Sequence, residues 1–282
     1  MFGRAREFFY DDPYSRFEIK NPESQNVDQV CSTEKGNFKL QNQQDLYRNV
    51  VTPEDPKRVI LANTMGSGKT CASIAIAENF IEEGQDVYVS VPSSLIRNYI
   101  DELGTGCATH RYLFKEAFLG QTGGPKKKLS NVFIGTVYKD DPEAPSRLKY
   151  GRYIICTHAM MPKIYTYMHP PNDPKCLFIV DEVHKIASAT GSTYKKYLEL
   201  IRKTLHKKSA VVLLTGTPIV DKIQEVGLIA NLVLPDKLLF DIEHFNKLYV
   251  HGYIHKGNIE YRPMNREDFM YRLLGHVGFF TG

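Results

Sequence analysis

The chain has 282 residues, of which 42% are hydrophobic and 24% are charged, so it can form one large domain or two small ones around a buried core. Its formal net charge of +4 is too small to indicate a nucleic-acid partner by itself. The first residues lack the apolar segment of a signal peptide, and no apolar run is long enough to span a bilayer. We therefore expect an intracellular protein with no membrane partner.

The chain's five cysteines form no C-x-x-C pair and have no zinc-like spacing with histidine. Their odd number argues against a complete disulfide framework. The cysteine pattern therefore predicts a reducing, intracellular setting.

Residues 1–37 are rich in Asp, Asn, Ser, Pro and Glu and show no sustained hydrophobic period, which predicts an N-terminal extension that is wrapped on the surface or partly mobile. After them, short apolar runs alternate with helical patterns. The predicted strands are Arg58–Ala62, Val87–Val91, Tyr153–Cys156, Leu177–Val180 and Ala210–Leu214. Because these runs are apolar almost throughout, we predict an α/β fold with a mainly parallel sheet and helices on both faces.

The pattern loosens between Gly104 and Tyr150, which indicates an insertion or a long hairpin at about 104–150. A turn signal in this segment leads into the basic run Lys126-Lys127-Lys128. Such a run is either a solvated tip or a contact for nucleic acid, and the sequence leaves both interpretations open.

A glycine-rich loop follows the first predicted strand. The sequence Met65-Gly66-Ser67-Gly68-Lys69-Thr70 lies between that strand and the helix-forming stretch Cys71 to Phe80, an arrangement that binds nucleoside triphosphates. Asn63 departs from the strict pattern, which has glycine at this position. The later residues are intact, so the loop is predicted to bind a nucleotide.

Each residue type in the loop has a distinct task. Gly66 and Gly68 allow backbone conformations in which amide N–H groups point at phosphate oxygens. Lys69 supplies a positive charge to the β- and γ-phosphates, and the hydroxyl of Thr70 is suited to Mg²⁺.

Two adjacent carboxylates, Asp181 and Glu182, follow the strand Leu177–Val180. Such a pair is costly unless a cation or a proton-transfer task compensates. We predict that Asp181 holds Mg²⁺ and that Glu182 orients and deprotonates the attacking water, while His184 senses the γ-phosphate. A pair that only caps the next helix is the alternative.

Two further segments follow predicted strands in the same way. Thr215-Gly216-Thr217-Pro218 follows the fifth strand, where Thr217 and Pro218 could simply begin a helix. Val91-Pro92-Ser93-Ser94-Leu95-Ile96-Arg97 follows the second strand, and its serines and amides at a helix start suit phosphate contacts. Ligands of open α/β sheets bind beyond the carboxyl ends of the strands, where all of these motifs lie.

The combined set, from about Leu40 to Tyr249, resembles the first RecA-like lobe of superfamily 2 helicases and translocases. It is most similar to the branch shared by Swi/Snf-type remodellers and the viral helicases related to poxvirus nucleoside triphosphate phosphohydrolase I and the small subunit of the early transcription factor. The resemblance implies a RecA-like P-loop NTPase domain that uses ATP and Mg²⁺. It further implies DNA rather than RNA as the nucleic-acid partner, and RNA polymerase or transcription factor subunits as protein partners. A viral protein of this kind would occur in the virion and the host cytoplasm.

The resemblance also assigns residue roles. In it, Thr215 and Thr217 couple the nucleotide state to nucleic-acid binding. Gln44, in a group of three glutamines that includes Gln41 and Gln43, would bind the adenine edge, although a solvated polar turn is the alternative. The predicted nucleic-acid contacts are Pro92, Ser93, Ser94, Arg97, Thr157 and His158.

We expect residues 38–250 to form the ATP-binding lobe and residues 251–282 to lead towards a second lobe, with Gly278 to Gly282 as a linker. In the resembled family that lobe supplies an arginine to the γ-phosphate, so without it we expect ATP binding to exceed hydrolysis. The leading hypothesis is an ATP-dependent helicase or translocase lobe acting on DNA in viral transcription.

Two alternatives belong to other functional classes. The first is a nucleotide-gated module that binds transcription factors with little or no motor activity. The second is a small-molecule kinase or another P-loop enzyme, in which the segments at Thr215 and Pro92 would lack a purpose.

Overall fold

The computed structural model describes residues 40–63, 66–104, 107–119, 127–137, 150–168, 175–188, 190–205, 207–216, 224–235, 240, 242–255 and 258–280. The predicted extension 1–37, Met65, Thr217 and Lys126 lie outside these residues.

Helices and strands alternate through most of the described chain. The helices are α1 Asn42–Val50, α2 Lys69–Glu82, α3 Ile96–Leu103, α4 Met161–Met168, α5 Ser192–Glu199, α6 Gln224–Asn231, α7 Ile242–Tyr249 and α8 Arg266–Leu273. The strands are β1 Arg58–Asn63, β2 Val87–Val91, β3 Tyr112–Leu119, β4 Lys127–Val137, β5 Arg152–Thr157, β6 Leu177–Val180, β7 Ala210–Thr215, β8 Val250–His255, β9 Asn258–Pro263 and β10 Val277–Phe280.

The main sheet has the strand order β10-β1-β7-β6-β2-β5-β4-β3 within the described residues. Strands β10 through β5 in this order are parallel, whereas β4 and β3 continue the sheet as an antiparallel pair. The predicted α/β fold with a mainly parallel sheet is therefore confirmed. All five predicted strands are present, and their ends differ from the prediction by at most one residue.

Apolar side chains of the strands pack on both faces of the sheet. In β1, Ile60 packs with residues of α4 to α8, whereas its neighbours Val59 and Leu61 pack with residues of α1, α2 and α3. This alternation follows from the two-residue period of a strand. It explains why the parallel strands are apolar in almost every position.

Strands β3 and β4 occupy the segment that was predicted to be an insertion or a long hairpin. They pair with each other antiparallel, and β4 also pairs with β5, so the segment extends the sheet. Strands β8 and β9 form a separate two-stranded antiparallel sheet.

Strand β10 corrects one prediction, since residues 278–280 were expected to belong to a linker. They pair with the outer edge of β1 instead, in register from Ile60 opposite Val277 to Asn63 opposite Phe280. The pairing satisfies backbone groups that an open edge of β1 would leave exposed.

A disulfide joins Cys71, in the first turn of α2, to Cys107, and the two Cα atoms lie 5.2 Å apart. The expectation of a reducing setting did not foresee this bond, because the pairing depends on how the segment after α3 packs against α2. Cys156 and Cys176 are buried thiols. Among the described helices, none combines the length and apolar character that crossing a bilayer requires.

Candidate functional site

The predicted motifs meet at the carboxyl edge of the sheet. Strands β1, β7 and β6 are consecutive neighbours, and they end at Asn63, Thr215 and Val180. Because neighbouring strands lie about 4.8 Å apart, the ends of β1 and β6 are roughly 10 Å apart. A lysine side chain from the loop after β1 can act across this distance on a carboxylate after β6.

The loop after β1 has the backbone that its glycines predict. Gly66 has φ +78° and Gly68 has φ +73°, both in the left-handed region that favours glycine. At Gly68 a Cβ atom would lie 2.4 Å from Gln44 Nε2, so a side chain there would be strained by the positive φ and would displace the Gln44 amide.

Helix α2 begins directly after this loop. Gly68 occupies the position before its first turn, no side chain caps that turn, and no acidic residue lies within it. The first amide N–H groups of a helix lack partners within the helix and carry a partial positive charge, so this end is suited to an anion such as phosphate.

Lys69 lies between the loop and the carboxylates. Its Nζ donates to the backbone carbonyl of Asn63 at 3.3 Å. Lys69 is the first residue of α2, directly after the loop at the end of β1, and Asp181 follows β6, two strands away. The sheet thus places these two residues, 112 positions apart in the chain, at the same carboxyl edge.

Asp181 is 6% exposed. Burial and, to a lesser extent, the charge of Glu182 raise the pKa of its carboxyl to about 6, although the N–H of Glu182, Lys69 and Lys185 oppose the shift. A buried carboxylate beside a second carboxylate is the environment that a bound cation would stabilise. Asp181 and the half-buried Thr70 at the start of α2 carry oxygen atoms that are suited to the magnesium ion of a nucleotide.

Glu182 has a left-handed backbone, with φ 49° and ψ 49°. Its N–H donates to Asp181 Oδ1 at 2.9 Å, so the two carboxylates share one short turn. Glu182 precedes the helical turn Val183–Lys185, but its side chain makes no capping hydrogen bond. The capping alternative for this pair is therefore supported only by the position of Glu182 before the turn, and by no hydrogen bond of its side chain.

His184 contacts both Glu182 and the third motif. Its Nδ1 lies 3.2 Å from Glu182 Oε2 and 3.1 Å from Thr215 Oγ1. Burial lowers the pKa of the imidazole, and the neighbouring Glu182 partly offsets that shift. The three side chains connect the end of β6 to the end of β7, where the sequence predicts coupling.

Gln44 lies against the phosphate loop. It is 2% exposed, its Nε2 donates to the carbonyl of Gly68 at 3.3 Å, and its Oε1 accepts from the N–H of Gln41 at 2.9 Å. Gln44 is therefore not part of a solvated turn. Its contact with adenine stays a prediction.

The residues predicted to contact nucleic acid differ in exposure. Ser93, Ser94 and Arg97 are exposed on the turn and helix after β2, whereas Pro92 is buried beneath them. Thr157, at the end of β5, is half-buried. The serines and the arginine can reach a backbone phosphate from solvent.

His158 is buried instead of facing solvent. Its Nδ1 lies 2.7 Å from Ser90 Oγ, and the same hydroxyl contacts Tyr197. Burial lowers the pKa of His158 to about 4, with further lowering by Lys185 and His184. The buried imidazole packs beside Ser90 and Tyr197. The predicted contact of His158 with nucleic acid stays a prediction.

Sequence reasoning missed Tyr47. The Tyr47 hydroxyl donates to Asn63 Oδ1 at 3.2 Å, which places it at the entry to the phosphate loop. The sequence feature that could have identified Tyr47 is its spacing from Gln44. Tyr47 follows Gln44 by three residues, so the two residues share one face of a helix.

Comparisons with known proteins identify the family and the fold. Residues 35–267 match the family described as SNF2-related domain. Protein R563 of Acanthamoeba polyphaga mimivirus, which is named as an ATP-dependent RNA helicase, is 28% identical over 287 residues, covering 97% of this chain and 46% of that protein. A protein of Invertebrate iridescent virus 3 that is named as helicase 087L is 26% identical over 210 residues, covering 68% of this chain and 20% of that protein.

A cellular protein and a solved structure are also similar. The transcription regulatory protein SNF2 of Saccharomyces cerevisiae is 25% identical over 213 residues, covering 74% of this chain and 11% of that protein. The Sulfolobus solfataricus SWI2/SNF2 ATPase core in complex with dsDNA has a TM-score of 0.55 at 18% identity, covering 89% of this chain and 46% of that chain. The chain thus spans less than half the length of these relatives.

Proposed function

The chain belongs to the SNF2-related domain family, and we propose that it is the ATP-binding lobe of a nucleic-acid-dependent ATPase of the helicase or translocase type. One observation carries the proposal. The phosphate loop, with Lys69 directly after it, follows β1, and Asp181 follows β6, two strands away at the same carboxyl edge of the sheet. A triphosphate with its magnesium needs this pairing of an amine with a carboxylate.

The side chains would divide the reaction among them. Lys69 would neutralise phosphate oxygens, while the amides at the start of α2 hold the remaining charge. Glu182 would orient a water molecule and accept its proton. Thr70 and Asp181 would hold Mg²⁺, which when bound supplies positive charge to the phosphates.

The contact between His184 and Thr215 supports a link from the nucleotide to the rest of the lobe. A change at Glu182 during turnover would reach Thr215 through the imidazole, since Nδ1 faces both groups. We assign the coupling role to His184 and Thr215 on this basis, and to Thr217, which lies outside the described residues, on the family resemblance alone.

The proposed nucleic-acid surface is the exposed turn after β2. Ser93, Ser94 and Arg97 lie at the same sheet edge as the nucleotide site and carry donors suited to phosphates. Such contacts are independent of base sequence. The nucleic acid is proposed to be DNA, as in the dsDNA complex of the similar Sulfolobus solfataricus ATPase core, although the mimivirus relative is named as an RNA helicase.

The similarity to helicases of mimivirus and iridescent virus supports a viral role. We propose that the complete protein acts in viral transcription, in the virion and the host cytoplasm, with RNA polymerase or transcription factor subunits as partners. We also propose that a second lobe supplies the arginine that rapid hydrolysis needs, so that this lobe alone hydrolyses ATP poorly.

The test is ATP hydrolysis by the full-length protein with and without nucleic acid. Glu182→Gln should lower the stimulated kcat by about 10²- to 10⁴-fold, because a carboxamide cannot accept the proton. Glu199→Gln is the matched control, since this exposed glutamate lies in α5 and pairs with the exposed Lys203 at 3.8 Å. It should leave the rate unchanged.

Duplex DNA, single-stranded DNA and RNA should be compared as activators. Stimulation by DNA above that by RNA is the expected result. If ATP binds but no nucleic acid stimulates its hydrolysis, the motor proposal fails and the binding-module alternative takes its place.

A further inference from the structure

Helix α1 contacts both ends of the phosphate loop through two side chains one turn apart. Gln44 Nε2 donates to the carbonyl of Gly68 at the loop's exit, and the Tyr47 hydroxyl donates to Asn63 Oδ1 at its entry. Both side chains belong to residues that are 2% exposed. Residues spaced by three lie on the same face of a helix, so α1 can hold the entry and the exit together.

Asn63 connects this helix to the phosphate-binding lysine. Its backbone carbonyl accepts a hydrogen bond from Lys69 Nζ at 3.3 Å, while its side chain accepts one from Tyr47. Asn63 is fully buried, and within the described chain its Nδ2 has no hydrogen-bond partner. An unpaired buried amide destabilises a fold. Asn63 therefore lowers stability at a position where the strict loop pattern has glycine.

The ring of Tyr47 is confined on its other side by β10. A Cβ atom at Gly278 would lie 2.8 Å from Tyr47 Cε1 and 3.3 Å from its hydroxyl oxygen. The hydroxyl is thus held towards Asn63 by close packing as well as by its hydrogen bond. Strand β10 also pairs with Asn63 directly, through Phe280.

We propose that Tyr47 and Asn63 are positioning residues that set nucleotide affinity by fixing the strand end on which the Lys69 amine rests. Because the amine is held on the Asn63 carbonyl before the nucleotide arrives, less conformational freedom of the lysine is lost on binding. This inference rests on the proposed function, since the group being positioned is the lysine assigned to the phosphates. It adds two residues that touch neither the phosphates nor the reacting water.

The experiment is equilibrium binding of a fluorescent, non-hydrolysable ATP analogue to the full-length protein. Tyr47→Phe keeps the ring and removes only the hydroxyl, and it should weaken binding about three- to tenfold, the equivalent of one buried hydrogen bond. At saturating ATP, kcat should change by less than about twofold, because the reacting groups are untouched. A positioning role thus predicts that the KM for ATP rises while kcat stays nearly unchanged.

Tyr194→Phe is the matched control. Tyr194 is 4% exposed, and its hydroxyl donates to the carbonyl of Leu228 at 3.0 Å, so the substitution also removes one buried hydrogen bond. Tyr194 packs on the opposite face of the sheet from Tyr47. It should leave the affinity for the analogue unchanged.

Asn63→Ala and the double variant complete the test. If Tyr47 acts through Asn63, the double variant should bind no more weakly than Asn63→Ala alone. Additive losses, or equal effects of Tyr47→Phe and Tyr194→Phe, would overturn the inference while leaving the proposed function intact. If Lys69→Ala binds the analogue as tightly as the unsubstituted protein does, the proposed function fails, and the inference fails with it.

Discussion

At the scale of single residues, Asp181 links the site to the pH dependence of stability. Burial and the charge of Glu182 raise the pKa of its carboxyl to about 6. The ordinary value is about 4, so between these values the folded protein binds more protons than the unfolded chain. In the nucleotide-free protein, the stability that the Asp181 carboxyl contributes is therefore present below about pH 4 and is lost as the pH rises through about 6.

The substitution Asp181→Asn tests this assignment. The amide keeps an acceptor for the N–H of Glu182 and removes the buried charge, so at pH 7.5 it should stabilise the nucleotide-free protein by about 1–3 kcal/mol. Thermal melting at pH 7.5 and pH 4 measures the effect, and the gain should vanish at the lower pH. A Tm difference that is the same at both pH values would contradict the buried, charged carboxylate.

At the scale of elements, the disulfide fastens the start of α2 to the segment after α3. The bond between Cys71 and Cys107 closes a sequence separation of 36 residues. In the chain-entropy model a loop of this length stabilises the fold by about 3–4 kcal/mol. We predict that a reductant lowers the Tm of the protein, while the variant Cys107→Ala melts at the same temperature with and without it. If the Tm of the unsubstituted protein is the same with and without the reductant, the disulfide is contradicted.

The helix α3 and the turn before it make a separate prediction. Arg97→Ala should weaken nucleic-acid binding similarly for all sequences and reduce the salt dependence of log Kd by about one unit, because one phosphate contact is lost. Lys203→Ala is a suitable control, since this exposed lysine follows α5 and its neighbours Leu200 and Ile201 pack on the opposite face of the sheet from α3. Fluorescence anisotropy over a range of salt concentrations measures both. An unchanged slope for Arg97→Ala would remove α3 from the proposed surface.

At the scale of the whole molecule, the sequence predicted the central strands because parallel strands covered on both faces are apolar almost throughout. The run Leu177–Val180 and the carboxylates after it could be placed from this pattern alone. Strand β10 could not, because the glycine in Val277–Phe280 resembles a linker and only pairing with β1 makes it a strand. The hydrogen bond between Tyr47 and Asn63 joins residues 16 positions apart, and no periodic pattern encodes such a contact.

The most direct test of the account is magnesium-dependent ATP binding. Isothermal titration of the full-length protein with a non-hydrolysable ATP analogue should show tight binding with Mg²⁺. Lys69→Ala should weaken it by about tenfold or more, since it removes a charged hydrogen-bond donor to phosphate. Asp181→Asn should remove most of the magnesium dependence, and Lys196→Ala, on the exposed face of α5, should change neither property. If Lys69→Ala and Asp181→Asn both bind the analogue with unchanged affinity and unchanged magnesium dependence, the two residues do not share a nucleotide and the account is contradicted.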